Sequence, residues 1–299
     1  MYLAGIEAGG TKFFTTIGDM DGNIIERYRT DTTTPQETMS EVLGILKNYQ
    51  AKYNIRALGL GCFGPIDINM KSKTYGYITN TPKIAWQDFD IVSSIKSAFN
   101  GPINFNTDVN AAAICEQLWG AGVGLENLLY LTVGTGIGGG AICNNRIVQG
   151  TTHTELGHIA IPQNPNDIFA GSCPFHNNCL EGLASGTAVN KRWEVSSASE
   201  LADDHIAWQF EAEYLAKAIS SFVFTLSPEK VILGGGIMHK KLLFKLIHSN
   251  LKKYINNYFD YPALQDMTNF VVPASFEDNT GVKGSLALAL QAFNNFSKE

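Results

Sequence analysis

Cys173, His176 and Cys179 fall at three-residue intervals, and His158 stands 15 residues ahead of the first of them. Two thiols and two imidazoles in so short a stretch match the sulfur and nitrogen ligands that tetrahedral zinc takes. Four protein ligands leave no open coordination position, so such a zinc is expected to be structural. The spacing also permits a Cys173–Cys179 disulfide, which a reducing compartment disfavours, and His153 competes with His158 as the remaining nitrogen ligand.

A second group of reactive residues is Asn106-Thr107-Asp108-Val109-Asn110, which runs into Ala111-Ala112-Ala113. The alanines predict a helix, with Asp108 at or just before its start. A carboxylate there can cap the helix. It can also accept the proton of a sugar hydroxyl as that hydroxyl attacks phosphorus, and the two roles are compatible. Asn106 and Asn110 offer amides to sugar hydroxyls.

Three glycine turns suit phosphate. In Glu7-Ala8-Gly9-Gly10-Thr11-Lys12, bare backbone N–H groups, a hydroxyl and an ammonium lie close together. Glycine lets backbone approach an anion, and successive N–H groups form an anion-binding nest. Glu7 can hold hydrated magnesium. Gly134-Thr135-Gly136-Ile137-Gly138 and Gly234-Gly235-Gly236 are the second and third such turns. None is followed by the Lys-Ser or Lys-Thr of a P-loop, so a nucleotide must be held by paired turns rather than by that motif.

The elements expected to position these residues come in two similar sets. Strands are predicted over Tyr2–Glu7, Lys12–Ile17 and Ile24–Arg29, joined by tight turns, then a helix with Met39, Val42, Leu43 and Leu46 on one face, then a strand over Ala57–Leu60. The same order restarts with strands over Leu128–Val133, Gly139–Cys143 and Arg146–Val148. A long amphipathic helix ending at Ser227-Pro228 and a strand over Lys230–Leu233 follow. The pattern predicts duplicated α/β domains of the actin-like (ribonuclease H-like) type with a cleft between them. We expect an N-terminal domain over 1–118, a C-terminal domain over 119–285 carrying the zinc loop and nucleotide site, and a terminal helix over 286–299 folding back on the first domain. Residues 195–206 read as a solvated helix or loop.

Bulk properties set limits. The 299 residues are 44% hydrophobic, with a formal net charge of −6. That excludes the basic surface needed for nucleic acid or an anionic membrane, and no run approaches the ~20 apolar residues of a membrane helix. Cys62, Cys115 and Cys143 sit in apolar or small-residue surroundings and read as buried free thiols. This cysteine usage suits a reducing cytoplasm, and no targeting segment is visible.

Five motifs together resemble the ROK family (repressors, open reading frames and sugar kinases) over essentially the whole chain. They are Gly5-Ile6-Glu7-Ala8-Gly9-Gly10-Thr11-Lys12, the Asn106–Ala111 run, the Gly134–Gly140 turn, Glu155-Leu156-Gly157-His158, and the cysteine cluster ending Cys179-Leu180-Glu181. The resemblance implies Asp108 as catalytic base, Asn106, Asn110, Glu155, His158 and Glu181 as sugar ligands, and His158, Cys173, His176 and Cys179 as the zinc set. It implies a nucleotide site built from Gly10, Thr11, Lys12, Thr132, Gly134, Thr135, Gly136, Gly182, Gly234, Gly235 and Gly236, with ATP and Mg2+ as cosubstrate and ion, and a homodimer. Thr107 stands where the family's first sugar-site Asn precedes its Asp. Glu7 replaces the more common Asp of the first turn, and His176 replaces a cysteine. These departures, with Tyr77, Thr79 to Lys83 and Trp86, resemble the bacterial fructokinase branch, which implies phosphorylation of the 6-hydroxyl of D-fructose. Glucokinase, mannokinase or amino-sugar kinase activity is the nearest alternative. A sugar-sensing repressor would carry a helix-turn-helix domain before the first turn, which starts here at residue 7. An actin-like chaperone or filament subunit would lack the Glu155–His158 motif.

Overall fold

The computed structural model describes residues 1–297. The chain forms two compact units, one of residues 1–123, 147–154 and 279–299, the other of 124–146 and 155–278.

Unit 1 is built on a five-stranded sheet of β1 (Tyr2–Ala8), β2 (Lys12–Gly18), β3 (Ile24–Asp31), β4 (Ile55–Cys62) and β7 (Ile103–Thr107), in the order β3-β2-β1-β4-β7. The first three strands are antiparallel, and β1, β4 and β7 run parallel. Helix α1 (Pro35–Lys52) begins where Thr34 accepts the N–H of Glu37 and Pro35 takes the first turn, a position that lacks an N–H partner in any helix. It buries Met39, Val42 and Leu46 on the sheet, against Phe13, Ile17 and Leu58 among others. Two paired two-residue strands, β5 (Tyr77–Ile78) and β6 (Phe89–Asp90), precede α2 (Ile91–Lys96). The sequence reading placed no element there.

The C-terminal helix spans Thr280–Phe296 and lies on β1, β4 and α3 (Asp108–Trp119). It starts six residues before the expected Leu286. Gly281 and Gly284, poor helix formers, hide its first turns, yet both are needed. A Cβ on Gly284 would meet the Ala111 backbone at 2.7 Å, and one on Gly281 would strike the Glu7 carboxylate. The stretch 147–154, expected in the second domain, belongs to unit 1, where His153 accepts the N–H of Ile66. Lys298 and Glu299 of the expected terminal helix lie outside the described residues.

Unit 2 repeats the sheet plan. β8 (Leu128–Val133), β9 (Ile137–Cys143), β10 (Arg146–Ile147), β11 (Lys230–Gly234) and β12 (Val271–Pro273) take the order β10-β9-β8-β11-β12. Again the second strand is antiparallel to the first, and the first, fourth and fifth are parallel. The repeat of order and direction is the duplication expected from the sequence. Helices α4 (Leu180–Ala184), α5 (Gly186–Trp193), α6 (Ala207–Leu226) and α7 (Leu242–Ile255), with the short α8 (Pro262–Gln265) and α9 (Met267–Phe270), belong to the same unit. Helix α6 ends where Ser227 turns left-handed at φ 46°, just before Pro228.

Cys62 and Cys115 are buried thiols, as expected, whereas Cys143 at the end of β9 is only half-buried. Residues 198–200 form a 3-10 turn, closed by a capping box of Ser197 and Glu200.

Candidate functional site

In unit 1 the parallel strands end level with one another: Ala8 of β1 pairs with Cys62 of β4, and Cys62 with Thr107 of β7. Ligands of open α/β sheets bind outside the carboxyl ends of the strands, and the candidate residues gather at this edge. The N-cap of α3 is Thr107, not Asp108: the Thr107 hydroxyl accepts the N–H of Asn110 at 3.1 Å. Asp108 stands at the first helical position, so the helix start does not depend on its carboxylate, whose Oδ1 accepts the adjacent N–H of Val109 at 2.9 Å. Its negative charge reaches Glu7. Burial first, and then Asp108, push the Glu7 carboxyl up to about 7, against the lowering effect of Lys12 and Arg27. Two carboxylates so arranged fit a hard cation with oxygen ligands.

The Gly9-Gly10 turn is closed by the N–H of Gly9 on the carbonyl of Lys12 at 3.0 Å and tied down by the Thr32 hydroxyl on the Gly9 carbonyl at 2.8 Å. Thr11 and Lys12 are exposed, and the Lys12 ammonium lies 5.1 Å from the centre of the Phe14 ring.

Asn106 and Asn110 differ more than the sequence reading allowed. Asn110 is 1% exposed, and its amide donates to Asn106 Oδ1 at 2.7 Å. Asn106 Oδ1 also accepts the N–H of Thr107, which leaves its own NH2 to donate outward. Asn110 thus lies behind Asn106, with its own Oδ1 buried and unpartnered among the described residues. His153, the alternative metal ligand, is spent on Ile66 N–H at 3.1 Å.

In unit 2, His158, Cys173, His176 and Cys179 bring their ligand atoms within 4.8 Å of one another. His158 Nδ1 lies 3.8 Å from Cys173 Sγ and 3.6 Å from Cys179 Sγ, and His176 Nδ1 lies 3.7 Å from Cys173 Sγ. Burial, joined by the neighbouring Cys173, pushes the Cys179 thiol up to about 11 against a lowering N–H from Gly182. A dication among the four groups would reverse that, so the donor set fits a metal ion. The loop is shaped by Gly182, where a Cβ would strike the Asn177 carbonyl. Gly182, expected at the nucleotide, packs here against the loop that carries the Cys/His group. The other ring nitrogen of His158 faces Glu181 Oε1 at 4.0 Å. Glu181 Oε2 in turn accepts the N–H of Ile137 at 2.9 Å, and a Cβ on Gly136 would come within 2.5 Å of that same oxygen. Gly136 therefore makes room for Glu181. Glu155, exposed, precedes the 3-10 turn that carries His158.

A cavity of about 690 Å³ lies wholly within unit 2. Of the residues expected at a nucleotide site, Gly134, Thr135 and Gly236 line it, and Thr132, Gly136, Gly182, Gly234 and Gly235 do not. Gly234 is buried, and a Cβ on it would meet the Tyr130 hydroxyl at 2.7 Å; Gly235 is glycine because its φ is +90°. Sequence reasoning missed most of the walls. Gly186-Thr187 at the start of α5 mirrors Gly134-Thr135: the Gly186 N–H donates to the Gly134 carbonyl at 2.7 Å and the Thr187 hydroxyl to the Thr135 carbonyl at 2.8 Å. Asn190, Ser196 to Ser199, Trp208, Ile237, His239 and Lys240 complete it. The repeated Gly-Thr pair was the one readable signal.

Two duplicated α/β units, with carboxylates at one sheet edge and a Gly-Thr-lined cavity beside the other sheet, define a two-domain ATPase of the actin-like fold. The ROK family model matches residues 3–292, and the chain belongs to the ROK family. It is 43% identical over 291 residues to a putative fructokinase of Bacillus subtilis (strain 168), covering 97% of this chain and 96% of that one. It is 42% identical over 295 residues to a fructokinase of Pediococcus pentosaceus, covering 99% and 100%. Among solved structures, a ROK hexokinase from Thermus thermophilus superposes with a TM-score of 0.79 at 26% identity over 100% of both chains.

Proposed function

We propose that this protein is an ATP-dependent fructokinase, which moves the γ-phosphoryl group of MgATP to the 6-hydroxyl of D-fructose. What carries phosphoryl transfer is Asp108, placed at the first turn of α3 beside Glu7, at the sheet edge that also bears the double-glycine turn. The choice of fructose rests on the relatives named fructokinase, which are 38–43% identical over nearly their full length.

Asp108 takes the proton of the 6-hydroxyl while that oxygen forms its bond to the γ-phosphorus and the bond to the β-γ bridging oxygen breaks, so ADP leaves with the bridging oxygen. Phosphoryl transfer demands placement and charge stabilisation more than covalent help. Asn106 donates through its NH2 to the sugar, held by Asn110. Glu155, His158 and Glu181 are the remaining sugar-contacting groups, with Glu181 fixed by the N–H of Ile137. Gly10, Thr11 and Lys12 face phosphate. Gly134, Thr135, Gly186, Thr187 and Gly236 hold the nucleotide in the unit 2 cavity. Mg2+, when bound near Glu7, neutralises phosphate charge. The metal of the Cys/His group is zinc and structural. Held by His158, Cys173, His176 and Cys179, such a metal would fix the His158 ring so that its other nitrogen could donate to the sugar. A homodimer in a reducing cytoplasm completes the reading.

Phosphorus and carbon NMR of a reaction of fructose, MgATP and the protein tests it. A phosphoester on carbon 6 is expected; a phosphoester on carbon 1, or no sugar phosphate, contradicts it.

A further inference from the structure

The phosphate turn of unit 1 has a second lysine that its own motif does not contain. Lys83 extends across Gly10: a Cβ built on that glycine would sit 3.1 Å from Lys83 Cε. The Lys83 side chain therefore lies over the bare backbone of the turn. The Lys83 ammonium has no hydrogen-bond or ion-pair partner among the described residues. Lys12, the lysine inside the motif, is instead exposed and packed on the face of the Phe14 ring, which it shares with Arg27 at 4.9 Å.

The mount of Lys83 is firm. The Trp86 ring is 1% exposed, packs on Phe13, Phe63 and Phe89, and donates its indole N–H to the Thr33 carbonyl at 2.9 Å. The N–H of Trp86 is bonded to the Lys83 carbonyl at 2.8 Å, and buried Thr81 accepts the N–H of Lys83. Gln87 reaches back to the Thr81 carbonyl at 2.9 Å. A cation held over a bare glycine turn, with no internal counter-charge, is placed to receive an anion. We infer that Lys83 binds the phosphoryl group that passes over the Gly9-Gly10 turn, and that it holds the phosphate of the sugar-phosphate product there. The inference rests on the kinase reading above and adds to it a cation from outside the turn motif.

The test compares wild type, Lys83→Met and Lys83→Arg in a coupled ADP assay with fructose, together with product inhibition by fructose 6-phosphate. Lys83→Met is expected to lower kcat on the order of 10²-fold, the cost typical of removing one group that stabilises transition-state charge, with the KM for fructose changed little. Inhibition by fructose 6-phosphate should weaken by about tenfold or more, and Lys83→Arg should restore part of both. A merely structural role would move thermal stability but not the product-inhibition constant relative to the fructose KM. Lys83→Met with kcat and product inhibition within twofold of wild type overturns the inference, as does a loss confined to the fructose KM. If Lys83→Met is too unstable to assay, Lys83→Gln, which keeps a polar end without the charge, carries the same two readouts. A wild type with no fructose-dependent turnover brings down the kinase reading together with this one, whereas an active wild type with an equally active Lys83→Met brings down Lys83 alone.

Discussion

Asp108 and Thr107 divide the work at the start of α3. Thr107 supplies the cap, so the carboxylate of Asp108 can be altered without unmaking the helix. Asp108→Asn keeps the size and the Val109 contact but removes the basic oxygen. Turnover should fall by about 10²–10⁴-fold, the range typical of a general base, while fructose binding measured by calorimetry stays near wild type; a near-normal kcat would remove Asp108 as base. A different carboxyl, Glu211, stands deep in α6 with both oxygens buried and, among the described residues, without hydrogen-bond partners. Burial raises it from 4.5 to about 8, with Arg192 opposing. The folded state therefore holds its proton where the unfolded chain has lost it. This contribution to stability is full below about 4.5 and fades as pH rises through about 8. Glu211→Gln cannot titrate, so it should gain on wild type as pH rises from 5 to 8, by on the order of a few kcal/mol at ~1.4 kcal/mol per pKa unit. Parallel pH-stability curves for the two proteins would contradict the buried-acid account.

At the scale of elements, what the sequence made legible was what is local. The metal ligands all fall within 158–179, so their spacing carried most of the geometry. The meander with its glycine turn could be read twice because strand alternation and turn residues are short-range signals. The cap was read at Asp108, whereas the hydroxyl of its neighbour Thr107, also a good capping residue, takes it. Asn106 and Asn110 are four apart, the spacing of neighbours on a helix, but Asn106 lies on β7 and only the turn into α3 lays one amide on the other. The C-terminal helix was misread at its start because its glycines, chosen for close packing on Ala111 and Glu7, look like breaks. The loop that carries the Cys/His group lies largely outside regular helices and strands, so a metal bound there would help to hold it. Chelation of a purified, metal-loaded sample should therefore lower its melting temperature and strip about one zinc per chain. A protein that is folded, active and zinc-free as isolated would contradict the metal reading.

Over the whole molecule, each unit supplies a different part of the chemistry. Unit 1 carries the proposed base Asp108 and the Gly9-Gly10 turn near the carboxyl ends of β1, β4 and β7, with Lys83 over Gly10. Unit 2 carries the metal loop and the Gly-Thr-lined cavity. The cavity was the least legible part, because Gly186, Thr187, Ser196 to Ser199, Trp208 and Lys240 meet only after α5, α6 and the turn following β11 have packed. No helix of the described residues is long and apolar enough to cross a membrane. The measurement that tests the central claim most directly is ADP release from MgATP, by coupled assay, with fructose, mannose, glucose, N-acetylmannosamine or no sugar. The account predicts release that depends on fructose and well exceeds that with the other sugars. Release without preference for fructose would contradict the substrate, and release that ignores sugar altogether, from folded protein, would contradict the kinase.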